Sequence, residues 1–177
     1  LDQGWWPDGL YTAPSDEALL FDIKAMKELG FNMIRKHIKV EPSRWYMHCD
    51  REGILVWQDL PSPNLPEGHE AFARQNFEEE AVRIIDAFEN HPSIVQWVVF
   101  NEGWGQFDTE WMTQVVIDKV SPQSLVCCAS GWNDAEIGDI KDSHSYPYPS
   151  CPIDQKRACV NGEYGGVTLK VPGHIWP

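Results

Sequence analysis

The sequence predicts an α/β fold and, within that class, a (β/α)8 barrel present only in part. Three observations carry the prediction. Helix-spaced apolar patterns alternate with short apolar runs along the whole chain. Those runs are mostly continuous, as in parallel strands covered on both faces. Each run also hands over to polar residues of chemical interest: Arg35-Lys36-His37, Gln58-Asp59, Asn101-Glu102, Ser130-Gly131-Trp132, His144-Ser145-Tyr146 and Glu163-Tyr164. A site assembled from the ends of successive strands belongs to a barrel. A doubly wound sheet would gather its chemistry at one switch point, usually with a glycine-rich phosphate loop, and the sequence has no such loop.

In chain order, Leu1-Asp2-Gln3 reads as the tail of an earlier strand. Leu19, Ile23, Met26 and Leu29 follow helical spacing, Gly30 offers a stop, and Phe31 to Arg35 reads as a strand. Pro42 opens a second helix through Trp45 and Tyr46, Gly53 ends it, and Ile54 to Trp57 is the next strand. A longer helix places Phe77, Ala81, Ile84 and Phe88 on one face and ends before His91-Pro92, with a strand at Ile94 to Phe100. Asp108 is placed to cap a helix carrying Trp111, Val115 and Val116. Leu125 to Ala129, Ile137 to Ile140 and Ala158 to Val160 complete the strands. A full barrel takes about 250 residues. The 177 residues here are therefore expected to form one partial barrel domain, 1–177, lacking most of the first strand and the eighth.

The formal charge of −13, from 14 Lys+Arg against 27 Asp+Glu, argues against a nucleic-acid partner, which wants clustered cations. No apolar run reaches the roughly 20 residues of a membrane span, and no basic stretch precedes an apolar core at Leu1 as in a signal peptide. Cys49, Cys127, Cys128, Cys151 and Cys159 form no zinc spacing, so no metal is expected from them. Cys127 and Cys128 read as small buried residues, and an odd count leaves at least one free thiol. Several of the nine tryptophans sit where apolar runs meet Asp, Glu, Asn or Gly. They are either core residues or flat walls suited to sugar rings.

Two acids stand apart. Glu102 follows Val98-Val99-Phe100-Asn101 and precedes Gly103, and Glu163 follows Cys159-Val160-Asn161-Gly162 and precedes Tyr164-Gly165. A buried carboxyl costs several kcal/mol unless paired or protonated. Each Glu could cap its turn or pair with Arg35 or Lys36. Alternatively, two facing carboxyls can divide the work of cleaving a glycosidic bond, one ionised as nucleophile and the other protonated as acid.

The stretches Phe31-Asn32-Met33-Ile34-Arg35-Lys36-His37, Gly53-Ile54-Leu55-Val56-Trp57-Gln58-Asp59, His91-Pro92-Ser93-Ile94 through Asn101-Glu102, and Gly162-Glu163-Tyr164-Gly165 resemble the catalytic barrel of glycoside hydrolase family 2. They cover most of the chain in the family's order. The resemblance implies a retaining exo-acting β-glycosidase of the β-galactosidase, β-glucuronidase and β-mannosidase family, with a carbohydrate substrate. Glu102 would be the general acid/base and Glu163 the nucleophile. Asn101 would hold the sugar 2-hydroxyl, Arg35 would keep Glu163 ionised, and Tyr164 follows the nucleophile as in the family.

Weaker candidates carry alternatives. His37 contacts a sugar hydroxyl or caps its strand, and Asp59 binds sugar or orients a neighbour. His144 and Tyr146 fall on the loop where the family places a residue assisting the nucleophile, although the Pro-rich turn there suits a structural role equally. Trp104 and Trp132 are candidate aromatic walls, and Asp2 with Trp5-Trp6-Pro7-Asp8 a candidate closing loop. His174 and Trp176 receive no role. The resemblance also implies β-sandwich domains on the same longer chain, no cofactor, no essential metal here, and a lean toward an extracellular or periplasmic location. An incomplete barrel has unpaired edges, so the piece is expected to fold poorly and to show little activity alone. An endo-acting barrel hydrolase such as a mannanase, or a catalytically silent carbohydrate-binding barrel, are the competing readings.

Overall fold

The computed structural model describes residues 1–62, 70–167 and 172–173, so His174 and Trp176 lie outside the described residues. In order these hold α1 (Asp16–Glu28), β1 (Met33–Lys36), α2 (Ser43–Glu52), β2 (Leu55–Asp59), α3 (Glu70–Phe88), β3 (Ile94–Phe100), α4 (Thr109–Lys119), β4 (Leu125–Ala129), β5 (Ile140–His144) and β6 (Ala158–Glu163). Strands β1 to β4 pair in sequence order, all parallel, and β5 pairs parallel with β6. The β4 and β5 segments are tied where Asp139 N–H donates to Val126 O at 2.8 Å and Val126 N–H donates to Asp139 Oδ2 at 2.9 Å. This is a partial (β/α)8 barrel. Asp2 bridges Lys36 in parallel, its N–H donating to Arg35 O and its carbonyl accepting from His37 N–H, so Leu1-Asp2-Gln3 runs as a strand tail beside β1.

Two apolar layers follow from the alternation of side chains along each strand. The outer layer joins sheet to helices through Leu19, Ile23, Tyr46, Phe77, Trp97 and Met112, among others. The inner layer, on the concave side, is Trp57, Val98, Cys127 and Ile140 with Val160 against them, each from a different strand. Two residues further along β2 and β5, the inner positions are Asp59 and Asp142, both buried. The barrel interior thus changes from apolar to charged toward the C-terminal ends of its strands.

Local chemistry explains the helices. Ser15 caps α1 by accepting from Ala18 N–H at 3.2 Å, with Asp16 and Glu17 in the first turn and Lys27 in the last, matching the helix dipole. Pro42 precedes α2, and Gly53 ends it in the left-handed conformation at φ 65°. In the His91-Pro92-Ser93-Ile94 turn, Asp50 of α2 takes His91 Nδ1 at 2.6 Å and Ser93 N–H at 2.9 Å, which sets where β3 begins.

Several expectations shift. The buried stripe of α3 is Phe77, Ala81 and Ile85, with Ile84 only partly covered. Leu29 and Phe31 are exposed, and β1 starts at Met33. Asp108 makes no side-chain cap bond and instead accepts from Arg74 at 3.0 Å, while α4 turns Met112, Thr113 and Val116 inward and leaves Trp111 half exposed. The fifth strand is 140–144 rather than 137–140, because its inward residues are polar and hide from an apolar count. His144 therefore ends a strand, and only Tyr146 lies on the loop beyond. All five cysteines are free, and Cys127 and Cys128 are buried.

Candidate active site

Arg35, the third residue of β1, organises the charged layer. Its Nε donates to Asp59 Oδ1 at 3.0 Å and its NH2 to Asp59 Oδ2 at 2.8 Å. NH2 also reaches Asn101 Oδ1 at 2.7 Å, and NH1 donates to Glu163 Oε1 at 2.9 Å. Burial alone would lower the basicity of this guanidinium, but the attached Asp59 and the nearby Glu163 outweigh it. Asp59 is 1% exposed and commits both oxygens to Arg35, so the geometry fits its orienting role. Trp57 lies under the guanidinium, 5.3 Å from ring centre to carbon.

Glu163 closes β6. Burial would raise its carboxyl, but the Tyr146 hydroxyl, donating to Oε2, and the Arg35 charge hold it below the ordinary carboxylate range. Tyr146 in turn is pushed up by desolvation and by that same carboxylate. His37 Nε2 lies 3.6 Å from Glu163 Oε1, while its Nδ1 faces Gln3 Nε2 at 3.1 Å. Accepting from that amide places the proton on Nε2, which is buried and makes no hydrogen bond. Desolvation lowers His37, so it is neutral near pH 7. The next residue, Ile38, has φ 53°, a genuine outlier for a β-branched side chain. Its N–H donates to Asp59 Oδ2 at 3.3 Å, so the strained turn is pinned to the same cluster.

Glu102 stands just past β3. Its Oε1 meets His144 Nδ1 at 2.8 Å, and Trp104 Nε1 donates to Oε2 at 3.4 Å. His144, with a fully buried side chain, also places Nε2 at 3.6 Å from Glu163 Oε1. One carboxylate oxygen of Glu102, one of Glu163 and a ring nitrogen of His144 lie within 4.8 Å of one another. Three such ligand atoms could in principle hold a cation. Here Arg35 already supplies positive charge to Glu163 at 2.9 Å, and His144 Nδ1 is turned to Glu102, so the set fits a hydrogen-bonded acid pair better than a metal centre.

Trp104 and Trp132 are 37% and 52% exposed, so neither is a core residue. Trp132 stands edge-on to His144 at 6.2 Å, and Gln106 donates to both Glu102 O and Trp132 O, binding the two loops together. Tyr164 is largely exposed. Asp2 and Trp5 do not close this cleft. They line a separate cavity of about 990 Å³ with Ile23, Met33 and Trp45, at the outer edge of β1. Of the N-terminal residues, Gln3 reaches the site, through His37. The residues missed in the sequence are Asp142 and Ser130's link to it. Their signal was the Asp-x-His spacing, which puts Asp142 and His144 on one face of a strand.

The family model for glycosyl hydrolases family 2, TIM barrel domain, matches residues 13–164. The chain is 32% identical over 88 residues to a β-glucuronidase of Bacteroides fragilis, covering 46% of this chain and 12% of that protein. It is 33% identical over 98 residues to a β-galactosidase of Lactococcus lactis, covering 51% of this chain and 10% of that one. Among solved structures, the GH2 β-galacturonidase of Eisenbergiella tayi bound to galacturonate superposes with a TM-score of 0.69 at 22% identity, covering 81% of this chain and 27% of that one. The apo β-glucuronidase 3 of Bacteroides uniformis gives 0.55 at 21%, covering 75% and 18%. The chain thus spans about a tenth of the length of the two relatives and shares its fold with the two structures.

Proposed function

The chain belongs to glycosyl hydrolase family 2, and from that premise we propose that it hydrolyses β-glycosidic bonds with retention, releasing a terminal sugar of the galactose or glucuronate type. The carrying observation is the pair Glu102 and Glu163, with carboxylate oxygens within 4.8 Å of each other. Retaining enzymes keep their carboxyls about 5–5.5 Å apart, whereas inverting ones leave roughly 6.5–9.5 Å for a water.

The environments support a role for each. Glu163 is held as a carboxylate by Arg35 and Tyr146, which suits a nucleophile. Among the described residues no Lys or Arg pairs with Glu102, whose oxygens face His144 and Trp104 instead, which suits a proton donor. In the first step Glu163 bonds to the anomeric carbon as the bond to the leaving oxygen breaks, and Glu102 gives that oxygen its proton. In the second, Glu102 takes a proton from water, the water oxygen bonds to the anomeric carbon, and Glu163 departs. The Nε2–H of His37 and the side chain of Asn101 are the groups offered to sugar hydroxyls, and Trp104 and Trp132 offer exposed aromatic faces.

Proton NMR of the first product tests the stereochemistry, with an aryl β-galactoside and an aryl β-glucuronide as probes. The β-anomer is expected to appear first, and a 2-deoxy-2-fluoro glycoside is expected to label Glu163. Initial α-anomer, or a label on another residue, would overturn the assignment.

A further inference from the structure

A file of buried hydrogen bonds runs from Glu102 into the barrel. His144 Nδ1 meets Glu102 Oε1 at 2.8 Å, and its Nε2 meets Ser130 Oγ at 2.8 Å. The Ser130 hydroxyl bonds to Asp142 Oδ2, and Asp142 Oδ1 accepts from Gly162 N–H at 2.6 Å. The side chains of His144 and Asp142 are fully buried, and Ser130 is too. The two-step cleavage above makes no use of Asp142 or Ser130.

The backbone makes room for this file. Gly131 has φ 90°, and a Cβ there would sit 2.6 Å from the His144 ring. A Cβ on Gly162 would fall 2.2 Å from Asp142 Oδ2. The β5–β6 register slips between Ser143 and His144, so His144 pairs with Glu163 while Gly162 N–H is left to Asp142. Bulges of this kind re-aim side chains beside active sites.

We propose that Asp142, acting through Ser130 and His144, is a positioning residue that holds the proton of Glu102 in place for the acid step. The inference rests on Glu102 being the acid/base. With Asp142 ionised, Ser130 O–H donates to it, and Ser130 Oγ must then accept from His144 Nε2–H. Where the ring is neutral, its Nδ1 is then bare and can only accept, so the proton between His144 and Glu102 belongs to Glu102. With Asp142 protonated every bond reverses: Asp142 donates to Ser130, Ser130 donates to Nε2, and Nδ1–H donates to an ionised Glu102. Both states hold the same three protons and one negative charge, so passage between them moves each proton one bond along and needs no outside reagent. Burial raises Asp142, which brings the two states closer in free energy.

Other charges bear on the file. Glu163 of β6 lies 3.6 Å from His144 Nε2, and Tyr146 stands edge-on to the ring from the following loop. Arg35 of β1 lowers Asp142 across the barrel, and Asp142 in turn raises the buried Cys127 thiol of β4.

The test uses the full chain and compares Asp142→Asn, Ser130→Ala, Ser130→Thr and Glu102→Gln on phenyl and 2,4-dinitrophenyl β-galactosides and β-glucuronides. The phenyl leaving group needs a proton and the dinitrophenyl group does not. Asp142→Asn keeps an acceptor for Gly162 N–H, and Ser130→Thr keeps the hydroxyl. In Asp142→Asn and Ser130→Ala the alkaline limb of kcat/KM on the phenyl substrate is expected to move to lower pH by about one unit, because that limb reports loss of the acid's proton. Their kcat loss should be about tenfold larger on phenyl than on dinitrophenyl substrates, and Ser130→Thr should restore the wild-type limb. Limbs that superpose on wild type, with Glu102→Gln still losing phenyl activity selectively, would overturn the relay alone. A Glu102→Gln variant with unchanged phenyl activity would overturn the acid/base reading and the relay with it.

Discussion

Asp59 clasps the Arg35 guanidinium at two points, Nε to Oδ1 and NH2 to Oδ2, and so turns NH1 toward Glu163. The clasp is buried at both ends, 4% and 1% exposed, and a buried pair is costly to break because one charge is left without its partner. It converts a flexible cation into a fixed one, and the strained Ile38 turn is bonded to the same carboxylate.

Removing one end should therefore be severe. Asp59→Ala is expected to destabilise the protein by about 3–5 kcal/mol, as read by denaturant unfolding. Arg35→Lys keeps a charge but cannot reproduce the fork. It should lower kcat/KM by about a hundredfold with a smaller loss of stability, since orientation within the site is what it removes. Equal activity in Arg35→Lys and wild type would contradict this.

Glu163 lies below the ordinary carboxylate range when folded, so its contribution to stability is present above its unfolded value. It is lost as pH falls through the lowered, folded value. The acid limb of kcat/KM should follow the same group. Tyr146→Phe deletes the hydrogen bond that most favours the ionised form, so that limb should move to higher pH by about half a unit to one unit. A limb that stays in place would show that the neighbouring charges, Arg35 first, keep Glu163 ionised without the Tyr146 hydroxyl.

Gly131→Ala puts a methyl group into the His144 ring at a backbone conformation that alanine resists. We expect about 1–3 kcal/mol of destabilisation, together with a larger fall in activity on phenyl than on dinitrophenyl glycosides. A gain in thermal stability would contradict the close contact.

Asp50 lies on α2 and holds the turn before β3 through His91 and Ser93. Asp50→Ala should cost about 1–3 kcal/mol by leaving the buried ends of that turn unsatisfied. Activity per folded molecule should stay near wild type, which would assign the His-Pro-Ser-Ile stretch to folding rather than to chemistry.

Much of this molecule was legible in one dimension. The strands at Ile94 to Phe100 and Leu125 to Ala129 are legible to the residue, because parallel strands buried on both faces are written as continuous apolar runs. Glu102 and Glu163 stood out as acids at the ends of such runs, and the structure brings them to one cleft. The fifth strand escapes the same apolar signal that marks the others. Its inward residues Asp142 and His144 are polar, and they are buried only because Ser130, Glu102 and Gly162 N–H meet them from other strands and loops. The tertiary structure alone decided that Asp59 serves Arg35, that Trp5 lines a different cavity, and that the acid pair is backed by a buried serine and aspartate. Periodicity reports how each segment meets the core, and the apolar core is non-directional. Hydrogen bonds and ion pairs depend on distances of about 3 Å between residues far apart in the chain, and only the assembled barrel sets those distances.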